Sequence, residues 1–513
     1  MYSKVHSAAV FGIGAFLVEI ETHLEKGVPG FVIVGLPDNA VKESRERVIA
    51  AIKNSDIAFP LAKLTINLAP ADIKKEGSAF DLPIAIGILT ANEMIIYDYF
   101  QETLLLGELA LEGVLRPIQG VLSITIEALK KRFRRIILPA ENANEAALVQ
   151  GIEVIPVNNL KEAVGYLRGE LEIAPRTIDV SEIFAKGASN YHNDLSDVKG
   201  QENVKRAIEV ASAGGHNILM IGPPGSGKTM IAKRIPSILP PLSLEESLET
   251  TKIHSVSGLL AKEEALVTTR PFRAPHHTIS DAALVGGGMN KIKPGEISLA
   301  NHGVLFLDEL PEFARNVLEV LRQPLEEKRI AISRTKMSIE YPANFMLVCS
   351  MNPCPCGNYG NPQKECTCTP TMIQKYLSKI SGPLLDRIDI HIEVAAVNFN
   401  ELSSSRVGEK SESIKERVIR ARDIQTERFK ESKNIFKNAD MGSKEIRKFI
   451  ELDIPSQELL KMAMNKLNLS ARAYDRILKV SRTIADLNNS EKIKSEHISE
   501  AIQYRSLDRE YWK

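Results

Sequence analysis

The 513-residue chain has one tryptophan, 5% aromatic residues and five cysteines, and its 65 basic residues are cancelled by 65 acidic ones. Each shortage excludes something. With no net charge there is no whole-molecule field to draw in nucleic acid, so any such contact must come from local patches. Five cysteines, four of them within fifteen residues, are not the paired framework of a secreted disulfide protein. No uninterrupted apolar run is long enough to span a bilayer. The one leader candidate, Ala8 to Val18, has a weak basic flank, runs into Glu19 and lacks a small-residue cleavage site. The expectation is a cytoplasmic protein with no membrane partner. What is present, 44% hydrophobic and 25% charged residues, is ordinary for a globular protein. The length calls for about three domains rather than one core.

The most informative stretch is Gly222-Pro223-Pro224-Gly225-Ser226-Gly227-Lys228-Thr229. An apolar run, Asn217 to Ile221, precedes it as a buried strand, and Met230 to Ile235 reads as a helix start. Strand, Gly-rich loop and helix N-terminus in that order form a phosphate cradle. The glycines let backbone N–H groups turn toward an anion, Lys228 can reach the β/γ-phosphates, and Thr229 can ligate Mg²⁺. ATP and Mg²⁺ are the expected cofactors. About eighty residues on, the apolar strand Val304 to Leu307 ends in Asp308-Glu309. Two carboxylates tipping a buried strand need a cation or water. Asp308 would hold Mg²⁺ through its water shell and Glu309 would polarise the attacking water; a solvated strand end is the bland alternative. Phe345 to Ser350 is another buried strand, leading to Asn352, which either orients the water or forms a turn before Pro353. Cys349 reads as a core residue.

These parts resemble the AAA+ ATPases. The resemblance implies that Asp197-Val198-Lys199-Gly200-Gln201 lines the adenine pocket, with Val198 and Lys199 the contacts. It makes Asn352 the first sensor. Arg387, in Ser381-Gly382-Pro383-Leu384-Leu385-Asp386-Arg387-Ile388-Asp389, becomes a finger reaching the γ-phosphate of the next subunit, which implies an oligomer. The alternative for Arg387 is a surface pair with Asp386 or Asp389. Arg472, in Leu469-Ser470-Ala471-Arg472, matches the second sensor, acting in its own subunit or across the interface; its alternative is an exposed helix arginine paired with Asp475. Two insertions, Ala283 to Glu296 and Arg329 to Tyr341, resemble the helix-2 insert and pore hairpin shared by magnesium-chelatase ATPase subunits and replicative MCM helicases. Lys291, Lys293, Arg334 and Lys336 would then face a channel and track a DNA backbone, or be ordinary exposed charges. Arg270-Pro271-Phe272-Arg273-Ala274-Pro275-His276-His277 carries two adjacent histidines. Their side chains diverge in regular structure, which argues against a metal pair.

Before this core, residues 1–173 alternate short strands (Val10 to Ile20, Gly30 to Val34, Leu64 to Leu68, Arg135 to Leu138) with helices (Asn39 to Asn54, Leu82 to Ala91) as an α+β domain. Lys74 to Pro83 and Gly107 to Leu122 resemble the proteolytic domain of Lon-type proteases. Ser78 lies near the nucleophile position, but the position of the base lysine is Leu122. A hydroxyl without a base is a poor nucleophile, so the expectation is a Lon-protease-like (ribosomal-S5-like) fold without peptidase activity, with Ser78 as a helix N-cap. Lys130, Lys131 and Arg132 open the densest basic run, either a solvated helix end or a phosphate-contacting patch. Residues 174–193 read as a linker, 194–397 as the AAA+ core, and 398–513 as a polar connector followed by a helical lid. Within the core, Cys354-Pro355-Cys356 and Cys366-Thr367-Cys368 offer four thiolates for a structural Zn²⁺, against free thiols or redox pairs.

The fold class expected is therefore α/β multidomain: the Lon-like front end, an AAA+ P-loop αβα core of the helix-2-insert clade, and a C-terminal helical lid. Across its length the chain resembles the YifB/ComM family of magnesium-chelatase-like AAA+ proteins. The resemblance rests on the front end, Arg270 to His277, Pro294 to Ala300, Val304 to Phe313, the cysteine loop, Ser381 to Asp389 and Ala501 to Arg509. It implies a homo-oligomeric, hexameric ATP-driven DNA motor acting in branch migration of recombination intermediates during natural transformation. The alternatives are a protein-remodelling ATPase driving a partner enzyme and, least favoured, an ATP-dependent protease.

Overall fold

A computed structural model describes residues 1–187, 193–261, 264–288, 292–334, 337–361, 364–396, 408–432, 435–467 and 469–507. Two of the expected DNA-facing residues, Lys291 and Lys336, lie outside these, as does the side chain of Arg334.

The N-terminal unit is built on a seven-stranded mixed sheet. Its strands run in the order Gly30–Val34, Lys63–Ala69, Gly14–Glu25, Tyr2–Phe11, Thr103–Leu105, Arg135–Pro139 and Glu153–Val157. The sequence expects one strand from Val10 to Ile20. Instead Tyr2–Phe11 and Gly14–Glu25 form an antiparallel hairpin, with Val5 opposite Ile20 and Val10 opposite Ala15. The chain reverses at Gly12, whose φ is +61° and where a Cβ would lie 2.7 Å from Ile339 Cγ2. Only glycine meets both demands. The helix Asp81–Ala91 is apolar all round because it is buried all round, against the hairpin and the helix Asn39–Asn54. Asp38 caps the latter by accepting from Val41 N–H at 2.8 Å.

The central sheet has five strands, all parallel and nearly all buried: Phe272–Arg273, Val304–Leu307, Met346–Met351, Ile218–Ile221 and Ile390–Glu393. A parallel sheet covered on both faces needs continuous apolar strands, which is why three of these read as short hydrophobic runs in the sequence; Phe272–Arg273 and Ile390–Glu393 do not. Ile218–Ile221 sits between Met346–Met351 and Ile390–Glu393. The loop that follows it therefore opens at the carboxyl ends of the strands, where open α/β sheets bind ligands. The helices Ser411–Arg428, Ser443–Phe449, Ile454–Leu467, Ala471–Leu487 and Ser495–Gln503 complete the chain. Buried Asp389 ties them to the sheet: it pairs with Arg476 of the helix Ala471–Leu487 and with His216 Nδ1 at 3.2 Å. No helix among the described residues is long and apolar enough to cross a membrane.

Part of the segment expected as a linker is regular structure. Val180–Gly187 is a helix. Its Val180, Ile183 and Phe184 pack with Leu122 and Leu148 of the N-terminal unit and with Leu248, Ala265 and Leu266 of the core. Eight residues of mixed polarity give little sequence signal, and their order comes from this three-way contact. Beside it Glu145, buried, accepts from Leu122 N–H at 2.7 Å and from the Ser255 hydroxyl, so one carboxylate bridges the two units. Burial pushes its pKa up.

Candidate active site

The phosphate loop leaves the strand Ile218–Ile221 and enters the helix Lys228–Ala232. Gly225 and Gly227 adopt φ values of +76° and +88°, the left-handed conformation that turns successive N–H groups to one side. Nothing lies within 4 Å of where a Cβ on Gly225 would stand, so the cradle is open. Lys228 is buried, and burial lowers its pKa against the opposing pull of Asp308 and Glu309. Its ammonium donates to Gly222 O at 2.7 Å, Pro223 O at 2.9 Å and Asn352 Oδ1 at 3.3 Å. It is a cation held by neutral oxygens of the loop, ready to exchange them for phosphate oxygens. Thr229 Oγ1 donates to Asp308 Oδ2 at 2.7 Å. A hydroxyl and a carboxylate in contact are a hard-oxygen set of the kind Mg²⁺ takes. The residues present thus fit both ATP and Mg²⁺.

Asp308 also accepts from the Ser350 hydroxyl and from Glu309 N–H at 3.1 Å. Glu309 adopts φ of +54°, rare for a residue with a side chain. Such strain, about 1–3 kcal/mol, persists only where the surroundings impose it. Here it leaves the carboxylate half-exposed, facing His277 Nδ1 at 3.5 Å. His277 packs edge-on against Phe313 and lies over His276.

This contact places His277, at the end of the Arg270–His277 stretch, beside Glu309, which its sequence did not reveal. Arg270 donates to Pro240 O at 2.5 Å and His302 O at 2.6 Å, and Arg273 pairs with Glu296 at 2.6 Å. Two anchored arginines deliver His277 to Glu309. Ser350 and Arg234 were also missed. Arg234 donates to Asp194 O at 2.7 Å and pairs with Asp197 at 2.8 Å, holding the Asp194–Lys199 segment to the phosphate-loop helix. Val198 of that segment is buried and Lys199 half-buried.

The remaining expected residues fall elsewhere. Arg387 is buried, its guanidinium donating to Pro383 O and pairing with Glu326 rather than with Asp386 or Asp389. Arg472 pairs with Asp386 at 3.6 Å, not with Asp475. Arg387 and Arg472 share one surface recess of about 130 Å³ with Arg476 and Lys479. The two insertions meet: Arg329–Arg334 and Met337–Pro342 form the expected hairpin, and Tyr341 donates to Ile292 O at 3.0 Å. Lys293 is exposed on a short strand paired with Gly286–Gly287. In the basic run, Lys130, Lys131 and Arg132 are exposed at a helix end, whereas Arg134 and Arg135 pair with Glu102 and Glu153.

Ser78 is not a helix cap. The helix begins after Phe80, and the Ser78 hydroxyl donates to Glu108 at the edge of a cavity of about 640 Å³. Lys74 pairs with Glu76, and Lys75 donates to Pro70 O and Ile73 O. Cys349 is buried in its strand, where burial pushes its thiol pKa up. The other four cysteines converge, their sulfurs all within 4.8 Å of one another. The backbone N–H groups of Asn358 and Thr367 hold the Cys356 thiol down at about 5.

Three family models match the chain. Residues 194–402 match "Magnesium chelatase, subunit ChlI", residues 20–142 match "Subunit ChlI of Mg-chelatase" and residues 408–505 match "Magnesium chelatase, subunit ChlI C-terminal". The chain is 45% identical to the protein YifB of Escherichia coli strain K12, over 99% of its own length and 97% of the relative's. It is also 45% identical to "Competence protein ComM" of Haemophilus influenzae, over 98% and 97% of the two chains. The "Magnesium-chelatase 38 kDa subunit" of Rhodobacter capsulatus is 26% identical over 31% of this chain and 50% of its own.

Proposed function

Because this chain belongs to the YifB/ComM family of magnesium-chelatase-like proteins, we propose that it is an ATP-hydrolysing DNA motor of the AAA+ class, working as a cytoplasmic homohexamer on branched or single-stranded DNA. The observation that carries the reading is the convergence of Lys228, Thr229, Asp308, Glu309 and Asn352 at the carboxyl ends of one parallel sheet.

Thr229 and Asp308 would hold Mg²⁺, which when bound would supply positive charge against the phosphates. The chain does the rest. Loop N–H groups and Lys228 bind phosphate oxygens. Thr229 and Asp308 provide the oxygen face for the ion. Glu309 takes a proton from the attacking water, and Asn352 fixes that water's position. His277 orients the Glu309 carboxylate, and Val198 and Lys199 line the adenine side. Arg387 and Arg472, which open on a common recess, complete the neighbouring subunit's site. Arg387 must then exchange Glu326 for a phosphate.

Force on DNA would come from the hairpin and the insert, which pack together through Tyr341 and Ile292 and carry Lys291, Lys293, Arg334 and Lys336. Lys130, Lys131 and Arg132 form a second phosphate-contacting patch. The name of the Haemophilus relative supports a role in competence, which fits branch migration during natural transformation. The N-terminal unit is read as Lon-like, the insertions as those of the helix-2-insert clade, and the cysteine loop as a structural zinc site. The domain borders are read at 173, 194 and 398. Peptidase activity is disfavoured, since Ser78 is paired with Glu108 and Leu122 stands where the base would be. The second reading, a protein-remodelling ATPase like the magnesium-chelatase subunits, rests on the family itself.

Turnover measured with no DNA, single-stranded DNA and forked DNA at several salt concentrations separates the two. DNA stimulation that weakens as salt rises is expected; indifference to DNA at every salt concentration would overturn the motor reading.

A further inference from the structure

The cysteine loop is joined to the phosphate loop. Cys354, Cys356 and Cys366 have sulfur separations of 3.4, 3.7 and 3.6 Å, and Cys368 completes the group. These spacings are too long for disulfides. A tetrahedron with Zn–S bonds of about 2.3 Å has edges of about 3.8 Å, close to the three measured. Tyr359 N–H donates to Cys354 Sγ at 3.3 Å, a hydrogen bond of the kind that orients a metal ligand. The loop between the pairs, Gly357 to Glu365, offers Tyr359 as its one large apolar side chain, and that is exposed. No apolar core can order it, whereas an ion can, because metal binding is then folding free energy.

Three contacts tie this loop to the nucleotide cradle. Gly357, at φ +79°, lies so close to the phosphate loop that a Cβ would stand 2.4 Å from Pro224 Cδ. Asn352, which accepts from Lys228, precedes Cys354 by two residues. The helix Pro370–Leu377 begins two residues after Cys368 and returns Tyr376 to the backbone of Asn352.

We propose that Cys354, Cys356, Cys366 and Cys368 bind one Zn²⁺, and that this ion clamps Pro224 and Asn352 so that metal occupancy sets the affinity of the phosphate loop for nucleotide. The clamp rests on reading Gly222–Thr229 as the ATP site; the metal site does not. With the ion in place, Gly357 is a fixed wall behind Pro224. Without it, that wall is the first residue of a polar loop whose anchor at Cys356 is no longer held, and the cradle loses one side. The metal takes no part in hydrolysis, since all four of its positions are filled by protein sulfur.

The test uses the full chain. Elemental analysis should give one zinc per chain, and replacement by Co²⁺ should give the absorption bands of a tetrahedral thiolate site. Removing zinc with a chelator should weaken binding of a fluorescent ATP analogue at least about fivefold, and adding zinc back should restore it, as two coupled ligands require. Gly357→Ala should keep its zinc and lose nucleotide affinity, while Lys228→Ala should keep its zinc and lose nucleotide binding. Circular dichroism melting checks that each variant is folded. No zinc and no Co²⁺ spectrum overturns the metal site. Zinc present, with nucleotide affinity unmoved by both stripping and Gly357→Ala, overturns the clamp. An untouched protein that holds zinc yet binds no ATP overturns the phosphate-loop reading and the clamp with it, and leaves the metal site standing.

Discussion

Thr229 donates its hydroxyl to Asp308 at 2.7 Å across 79 residues of sequence, which makes the start of one helix and the tip of another strand a single oxygen face. If that face holds Mg²⁺, Asp308→Asn should leave the fold intact and raise the Mg²⁺ concentration for half-maximal turnover about tenfold or more. A magnesium titration of ATPase activity checks it; an unchanged midpoint would place the ion elsewhere.

Glu309 is held in a left-handed conformation with its carboxylate toward His277. Glu309→Gln should bind ATP as tightly as the parent and hydrolyse it about 10²- to 10⁴-fold more slowly, the range for loss of a general base. His277→Ala should lower kcat about tenfold with nucleotide affinity unmoved, because it orients rather than reacts. Single-turnover hydrolysis beside equilibrium binding distinguishes these effects.

Arg387 and Arg472 open on a recess that contains none of the phosphate-loop residues. Arg387→Ala and Lys228→Ala should each be nearly inactive alone, with losses of about 10³-fold or more for the arginine. Mixed subunits should recover part of the activity, because some interfaces then pair an intact loop with an intact arginine. No recovery on mixing, with hetero-oligomers demonstrated, would count against a shared site.

His302 offers a pH test of stability. Burial alone would depress its pKa, but Glu249 at 2.6 Å and Glu246 at 3.3 Å override it and raise the value. A histidine whose folded pKa exceeds its unfolded value of about 6.5 stabilises fully below that pH, and the gain fades as pH rises through the folded value. Each unit of elevation is worth about 1.4 kcal/mol. His302→Asn, which tolerates the local φ of +57°, should therefore lower Tm most near pH 6 and least near pH 9. Thermal melts across that range read the trend directly.

The phosphate loop and the acidic strand tip were legible because their chemistry is local: glycines turn a backbone, and a carboxylate pair ends a buried run. Three of the five parallel strands were legible because burial on both faces leaves mainly apolar residues, whereas Phe272–Arg273 is too short and Ile390–Glu393 too polar to give that signal. What was hidden depends on neighbours distant in sequence. Nothing in Arg270–His277 announces that two arginines anchor a histidine against Glu309. The pairing of Arg387 with Glu326 joins residues 61 apart. The Val180–Gly187 helix owes its order to side chains from two other units. Ser78 looked like a cap because serine often is one, and the helix it precedes begins two residues too late for that.

Leu122 is fully buried in the seam that joins the N-terminal unit, the Val180–Gly187 helix and the core. A lysine there would bring a charge into apolar surroundings beside the buried Glu145 carboxyl, and desolvating it would cost several kcal/mol. The same side chain that fills this seam fixes how the N-terminal unit sits on the core, so a substitution at Leu122 would loosen the joint between the two before it touched any chemistry.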